Sequence, residues 1–472
     1  MFHGKVQNIH FVGIGGSGMC GIAEVLVTAG YRVTGSDLSE GSAVQRLREL
    51  GATVHLGHAP EYVENVDVVV KSTAIPEHNV EIVAAHQRKV PVIPRAEMLG
   101  ELMRMKYGLA IAGTHGKTTT TSMLARCLHH AGEDPTIVIG GRLDAIGSSA
   151  RLGAGEYIVA EADESDGSFM KLGPTVAVVT NIDPEHLDHW GSLDNLLQGF
   201  TDFTNKVPFF GFCVLCLDHP NVQALLPRVH RPVVTYGLSA QAEVRAENIR
   251  YEGICARFMV VRRDEALGEV ALHMPGSHNV CNALAAIAVA LELGVDFADV
   301  QAALEGFTGV DRRFSVRAEL PHPEAPASDE DDGLVTIIDD YAHHPAEITA
   351  TLSAAAQAWP HRRIVAVFQP HRFTRVRDLL DDFARSFNDA GHVVVCPIYR
   401  AGERPLPGLD EQRVGRALVD FGHRSVEVAS SLEDARELLA AGVRPGDVVI
   451  TLGAGTVNQL CGGLAADLGA SA

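Results

Sequence analysis

The sequence predicts an α/β fold: three tandem α/β domains with mainly parallel sheets. Two glycine-rich loops, Gly13–Gly18 and Gly113–Thr119, each follow a short apolar run and precede a helical stretch. Short Val- and Ile-rich runs alternate with helical segments along most of the chain, which is the signature of βα units. The 472 residues, at roughly 100–200 per domain, accommodate three such units.

Taken in order, the first unit opens with a strand over 8–12, the glycine turn, a helix ending at Gly30 and a strand over 32–35. Strands at 67–71 and 90–93 complete a parallel unit over residues 1–106. The second unit enters on a strand over 107–112, followed by a loop at 113–117, a helix from Thr118 to about Ala131, and strands at 157–160 and 176–180. Residues 233–272 are strand-rich and 275–293 form an Ala-rich helix, so the second domain is placed at 107–313. The third, 314–472, alternates again: a strand at 334–338, a helix from Pro345, and strands at 364–368, 393–396 and 447–452. Residues 319–333 hold three prolines and an acidic cluster and are expected to form an exposed loop. No repeat of 20–50 residues is evident beyond the three tandem units.

Composition sets limits on function. Hydrophobic residues make up 46% and charged residues 21%, close to globular averages, so each unit can bury a core. Lys plus Arg (39) against Asp plus Glu (59) gives a net charge of −20, which repels a phosphate backbone and argues against a nucleic-acid partner. Eight scattered cysteines and a start, Met1-Phe2-His3-Gly4-Lys5, without an apolar signal region lead to the expectation of a cytoplasmic protein. No apolar run approaches the roughly 20 residues of a membrane-spanning helix, so membrane insertion is not expected. Cys213 and Cys216 form a C-x-x-C without a second ligand pair; on a strand they point to opposite faces, and they are read as core.

The two loops carry the chemistry. Gly13-Ile14-Gly15-Gly16-Ser17-Gly18 matches G-x-G-x-x-G, in which glycines let backbone N–H groups approach a diphosphate at a helix N-terminus. Asp37 ends the next strand, after Ser36. The pattern suits a dinucleotide with Asp37 on a ribose hydroxyl, and equally any other diphosphate, including that of a UDP-sugar. Gly113-Thr114-His115-Gly116-Lys117-Thr118-Thr119 is two residues shorter than G-x-x-x-x-G-K-[ST] but keeps its working parts. Loop N–H groups face phosphate oxygens, Lys117 brings a charge to the β/γ-phosphates and Thr118 a hydroxyl for Mg²⁺, so ATP is the expected ligand. The central domain therefore reads as a P-loop ATPase and the outer two as Rossmann-like. Glu161, directly after an apolar strand, is aimed at the crevice and favoured as a metal ligand, although the acidic run Glu161, Asp163, Glu164, Asp166 also suits a solvated loop. His186, after the strand at 176–180, is left open between structural and ligand roles.

Together these residues resemble the Mur ligases. The resemblance runs through Gly13–Gly18, Gly35-Ser36-Asp37, Gly113–Thr119, 161–166, 181–188, Gly276–Asn282, Arg312-Arg313-Phe314, 339–345 and Gln369–Arg375, which is essentially the whole chain. It implies an N-terminal UDP-sugar domain, a central ATPase domain and a C-terminal domain that helps bind an amino acid. The chain looks like the branch of the family that uses ATP and Mg²⁺ to join L-alanine to the lactyl carboxylate of UDP-N-acetylmuramate through an acyl phosphate. By the same resemblance Lys117 stabilises the transferring phosphoryl group, and Thr118, Glu161 and His186 hold magnesium. Asn279 and Asn282 face the adenine and the metal-bound site; helix capping or core amide pairing is their alternative. Arg313 and Asp340 reach ATP, while His343, His344, Arg372 and Arg375 face the substrate carboxylate or the incoming alanine. Arg372, Arg375 and Arg377 equally suit an exposed basic turn. Some relatives carry a carbamylated lysine; Lys206 is the only nearby lysine, its spacing is unpersuasive, and no such modification is expected.

Three other readings stand beside this one: a ligase that attaches a preformed peptide to the same UDP-sugar, a nicotinamide oxidoreductase built on the first loop alone, and a non-catalytic nucleotide-binding module. The oxidoreductase leaves the second loop unexplained. The sequence gives no oligomeric state.

Overall fold

The computed structural model describes residues 6–16, 18–72, 74–143, 148–323 and 333–469, with backbone only at 140–143 and 148–149. Ser17 and most of the acidic loop, 324–332, lie outside the described residues.

The first sheet has five strands: β1 (Asn8–Val12), β2 (Arg32–Asp37), β3 (Thr53–Leu56), β4 (Val68–Lys71) and β5 (Val92–Pro94). Their order is β3-β2-β1-β4-β5, and every pairing is parallel. Helices α1 (Met19–Thr28), α2 (Ser42–Glu49), α3 (Val80–Gln87) and α4 (Arg95–Arg104) connect them. Because β1 is flanked by β2 on one side and β4 on the other, the chain leaves its first strand at a topological switch point. There the connections diverge and open a crevice at the carboxyl edge of the strands.

The second sheet has ten strands: β6 (Tyr107–Ala112), β7 (Thr136–Leu143), β8 (Ser148–Arg151), β9 (Tyr157–Glu161), β10 (Val176–Val179), β11 (Phe212–Cys216), β12 (Val233–Gly237), β13 (Val244–Glu252), β14 (Cys255–Arg262) and β15 (Glu265–Leu272). Its order is β15-β14-β13-β12-β11-β10-β6-β9-β7-β8. Parallel β6 lies between β9 and β10, so the second glycine loop also leaves a switch point. The helices are α5 (Lys117–His130), α6 (Leu187–Trp190), α7 (Leu193–Asn205), α8 (Pro220–Gln223), α9 (Ser277–Glu292) and α10 (Phe297–Glu305). Strands β6, β9, β10 and β11 are apolar runs buried on both faces, as central parallel strands must be. Cys213 and Cys216 are buried in β11 as expected. Behind this sheet Phe169 stacks on Phe203 at 4.9 Å and meets Phe200 edge-on at 5.2 Å, all three fully buried.

The third sheet runs β16-β17-β21-β18-β19-β20, from β16 (Ser315–Pro321), β17 (Leu334–Asp340), β18 (Ile364–Phe368), β19 (His392–Val395), β20 (Val426–Val428) and β21 (Val448–Leu452). Helices α11 (Pro345–Ala358), α12 (Phe373–Asp378), α13 (Leu380–Arg385), α14 (Glu411–Asp420), α15 (Leu432–Gly442) and α16 (Gln459–Gly469) cover it. One face buries Phe368, Phe383 and Phe387, the other Val335, Val365, Val449 and Leu464.

Two expectations need correction. Residues 319–321 are not loop but the end of β16, an antiparallel edge strand whose alternating exposure hides it in a polar sequence. The hairpin of β7 and β8 was not foreseen either. By compactness the chain forms two units: Met1–Ile249 with Phe258–Ala271 and Val280–Thr308, and Gly309–Ala472 with Arg250–Arg257 and Leu272–Asn279. The first sheet and most of the second thus share one unit.

Candidate active site

The first glycine loop is tied to the end of β2. The carbonyl of Ser36 accepts the N–H groups of Gly13 (2.9 Å) and Ile14 (3.0 Å), and Asp37 Oδ2 accepts that of Gly15 (2.8 Å). Gly15 lies so close to Asp37 and Val44 that a Cβ would approach both at 3.0 Å. Gly16 donates to the Gly13 carbonyl at 3.2 Å, closing the turn. Gly18, at φ 75°, opens α1 without a side-chain cap, which leaves the helix N-terminus facing the crevice. Ser36 itself is fully buried with its hydroxyl on Glu81 (2.9 Å), so it shapes the loop through its carbonyl.

The second loop is fixed by the strand beside it. Asn181, just past β10, clamps His115 from both sides: its Oδ1 accepts the His115 N–H (2.7 Å) and its Nδ2 donates to the His115 carbonyl (3.0 Å). Thr180 Oγ1 donates to that carbonyl at 2.6 Å, and the Asp183 N–H donates to Thr114 Oγ1 at 2.8 Å. A Cβ on Gly113 would collide with the Thr180 hydroxyl, and one on Gly116, at φ 81°, with the Asn282 amide. Asn282 Oδ1 also accepts from Thr120 Oγ1 at 3.2 Å, joining α9 to α5. Thr118 and Thr119 follow Lys117 in the first turn of α5, whose N-cap, Gly116, offers no side chain.

Lys117 points back over this loop. Its ammonium donates to the carbonyls of Gly113 (2.6 Å) and Thr114 (3.1 Å) and to Glu164 Oε2 (2.8 Å). Burial opposes its charge, but Glu164, Asp163 and Glu161 together hold its pKa above that of an ordinary lysine. Burial likewise works against Asp163, yet Lys117 and the Ser165 N–H keep that carboxyl below its usual range. The run after β9 is therefore not simply solvated: Glu164 is 2% exposed.

Glu161 ends β9, paired with Ile111 of β6. His186 follows β10 and sits at φ 55°, an uncommon conformation for a branched ring side chain and one that recurs at functional sites. Its Nε2 is 3.5 Å from Glu185 Oε2. Asp183 is held well below the usual carboxylate range by hydrogen bonds to His115 and His219, each at 3.3 Å. The ends of β6, β9 and β10 thus bring Lys117, Thr118, Glu161 and His186 to one edge of three adjacent strands. Lys206, at the end of α7, donates to the Met170 carbonyl.

In the second unit Asp340, at the end of β17, is buried and accepts the N–H groups of Phe314 and Ala342, each at 2.7 Å. Burial pushes its pKa up to about 6. Arg313 lies 5.2 Å from the Tyr341 ring centroid and 3.7 Å from Glu347. Asn279 donates to the Pro275 carbonyl one turn back at 2.8 Å. His344 caps α11, taking the Ala346 N–H on Nδ1 at 3.4 Å. His343 Nδ1 lies 2.9 Å from the Tyr341 carbonyl, an acceptor only, so Nδ1 carries the proton and Nε2 the lone pair. Burial lowers its pKa to about 3, and that of His371 to about 4, so both rings are neutral at pH 7. His371 stacks on Tyr399 (5.5 Å) and meets His343 edge-on (5.5 Å). Among the described residues, His371 Nδ1 and Arg375 Nη1 are buried without a hydrogen-bond partner, while Arg372 is exposed at φ 67°.

At the end of β21, Gly453-Ala454-Gly455 resembles a third glycine loop, but the N–H groups of Thr456 (2.8 Å) and Val457 (3.1 Å) both donate to Gln369 Oε1. Sequence reasoning passed over Glu164, Asn181 and His371 as individual residues. Their only signal was membership of motifs judged by their neighbours.

Residues 8–107 match the catalytic domain of the Mur ligase family, residues 111–290 the Mur ligase middle domain, and residues 327–455 the glutamate ligase domain. The chain belongs to the Mur ligase family. This Mur ligase is 54% identical to a UDP-N-acetylmuramate–L-alanine ligase of Anaeromyxobacter sp. (strain Fw109-5), over 97% of each chain. It is 53% identical to the enzyme of that name from Geobacter sulfurreducens, over 97% of this chain and 96% of the relative. Among solved structures, UDP-N-acetylmuramate-alanine ligase from Thermotoga maritima superposes with a TM-score of 0.80 at 30% identity, covering 98% of this chain and all of that one. A murein peptide ligase from Psychrobacter arcticus gives 0.68 at 26% identity, covering 98% of this chain and 99% of that one.

Proposed function

We propose that this Mur ligase joins L-alanine to the lactyl carboxylate of UDP-N-acetylmuramate with cleavage of ATP, a step of peptidoglycan precursor synthesis. The observation that carries the reading is the pair of glycine loops at switch points of two sheets in one unit, the second bearing a half-buried lysine paired with a buried glutamate. One loop suits the diphosphate of the UDP-sugar and the other the phosphates of ATP. The identity to alanine-adding relatives over nearly their full length supports the choice of acceptor.

In this reading a lactyl carboxylate oxygen attacks the γ-phosphorus, the bond to the β-phosphate oxygen breaks, and ADP leaves. The alanine amine then attacks the acyl phosphate carbon, loses a proton, and inorganic phosphate departs. Splitting amide formation in this way replaces one difficult step by two easier ones. Lys117 moves from Glu164 to the phosphates and stabilises the charge on the transferring group. Thr118, Glu161 and His186 would hold Mg²⁺: the hydroxyl and carboxylate oxygens suit a small hard cation, and the imidazole nitrogen is a borderline donor that would complete the set. The bound ion supplies neutralisation of phosphate charge. Asn279, Asn282, Arg313 and Asp340 act on the nucleotide. His343, His344, Arg372 and Arg375 act on the alanine or the substrate carboxylate, with the lone pair on Nε2 of the neutral His343 ring available to accept a hydrogen bond. The domain boundaries are proposed after residues 106 and 313, each between two sheets, and the compartment is proposed to be the cytoplasm.

The test is phosphate release from ATP, Mg²⁺ and UDP-N-acetylmuramate with L-alanine or with L-alanyl-γ-D-glutamyl-meso-diaminopimelate. Release with alanine supports the reading; release with the tripeptide alone would move the protein to the peptide-recycling ligases.

A further inference from the structure

Beneath the first glycine loop lies a polar cluster to which the reaction gives no part. Glu81, in the first turn of α3 behind the N-cap Asn79, is completely buried. Its carboxylate meets four donors. Oε2 takes His10 Nε2 (2.8 Å) and Ser36 Oγ (2.9 Å); Oε1 takes His58 Nδ1 (3.0 Å) and the Ala59 N–H (3.3 Å). His10 is itself fully buried, and its second nitrogen lies 2.7 Å from Thr34 Oγ1.

A buried carboxylate of this kind is a poor source of stability, since well-packed apolar residues usually do as well or better. What it does here is fix geometry. Ser36 is held through its hydroxyl by Glu81, and its carbonyl holds Gly13 and Ile14; the next residue, Asp37, holds Gly15. Three successive N–H groups of the loop therefore hang on residues 36 and 37, and the hydroxyl of residue 36 is held by Glu81 Oε2, with His58 Nδ1 beside it at 3.1 Å. The close approach of Gly15 to Asp37 and Val44 leaves the loop little slack to absorb a shift.

We propose that Glu81 is a positioning residue for the UDP-sugar site, acting through Ser36 to hold the first glycine loop at the height its diphosphate ligand requires. The inference rests on the assignment of that loop to UDP-N-acetylmuramate. Glu81→Gln is nearly isosteric, but it turns one acceptor into a donor that must face either His10 and Ser36 or His58 and Ala59. KM for UDP-N-acetylmuramate rises about tenfold in this variant, while kcat and KM for ATP stay within about twofold of the parent values. His58→Ala removes one donor at the partly exposed end of the cluster, and the full chain carrying it shows the same KM split at several-fold, which keeps the test available if Glu81→Gln does not fold. Unchanged KM for the sugar in both variants, equal rises in both KM values, or a fall in kcat alone would overturn the positioning role. A parent enzyme that neither binds nor consumes UDP-N-acetylmuramate would overturn the site assignment itself and the inference with it.

Discussion

The Lys117–Glu164 pair offers the sharpest quantitative test of the nucleotide site. Glu164 has a side chain 3% exposed and Lys117 one 17% exposed, joined at 2.8 Å. Lys117→Ala strands the carboxylate in the core. Removing one partner of a buried pair costs about 3–5 kcal/mol, and the residual exposure of the lysine puts this case at the low end, about 3 kcal/mol. For a unit of this size that is a fall of about 5 °C in Tm. Glu164→Gln on top of Lys117→Ala removes the stranded charge and recovers most of the loss. Burial already raises the Glu164 pKa, and without the ammonium the rise is larger. Its unfolded form then ionises first. The deficit of the single variant relative to the double therefore grows with pH, by at most about 1.4 kcal/mol per unit, and closes as pH falls below about 4.3. Phosphate release stays at least about 100-fold down in both variants, because neither restores the cation at the phosphates. Melting followed by circular dichroism from pH 4 to 8, together with a phosphate assay, reads all of this. A double variant that melts no higher than the single one would refute the stranded-charge argument, and parent-like turnover in either would refute the phosphate site.

Three further outcomes follow from the geometry. Gly116→Ala pays left-handed strain of about 1–2 kcal/mol and collides with Asn282, whereas Gly132→Ala, at φ 83°, pays strain in open space; KM for ATP rises at least about tenfold in the first and is unmoved in the second. Asp340, lifted from 3.8 to about 6, keeps its proton in the folded state after the unfolded chain has lost it. Its contribution therefore declines by about 2 kcal/mol as pH rises from 4 to 6, and Asp340→Asn flattens that slope in urea titrations. His343, lowered to about 3, has the opposite sign. Stability is lost as pH falls below about 6.5, where the unfolded imidazole takes up a proton first, and His343→Gln reduces the drop in urea midpoint between pH 7 and 5.

Much of this was legible because central parallel strands are apolar on both faces and end at glycine loops. The runs at 8–12, 107–112 and 364–368 emerge at their expected bounds. Edge strands carry a weaker signal: β16 alternates Val, Ala and Leu with charged residues, and its last three residues were taken for loop. The glycine loops announced themselves by spacing. Asn181 and Glu164 did not, because their roles depend on which strand lies next to β6 and on burial that an acidic run does not signal. His371 was hidden just ahead of two arginines that drew attention to charge, while its contribution is a neutral ring stacked on Tyr399.

The Gln369 amide has a consequence for how one architecture can be used repeatedly within a chain. Each of the three sheets ends a strand in a glycine turn that leads into a helix, and a bare turn of that kind attracts any small anion in the cell. By placing a neutral carbonyl oxygen on the N–H groups of Thr456 and Val457, the third turn is stoppered from within. A chain built from similar parts thereby avoids a decoy anion pocket that would compete with its other two glycine loops.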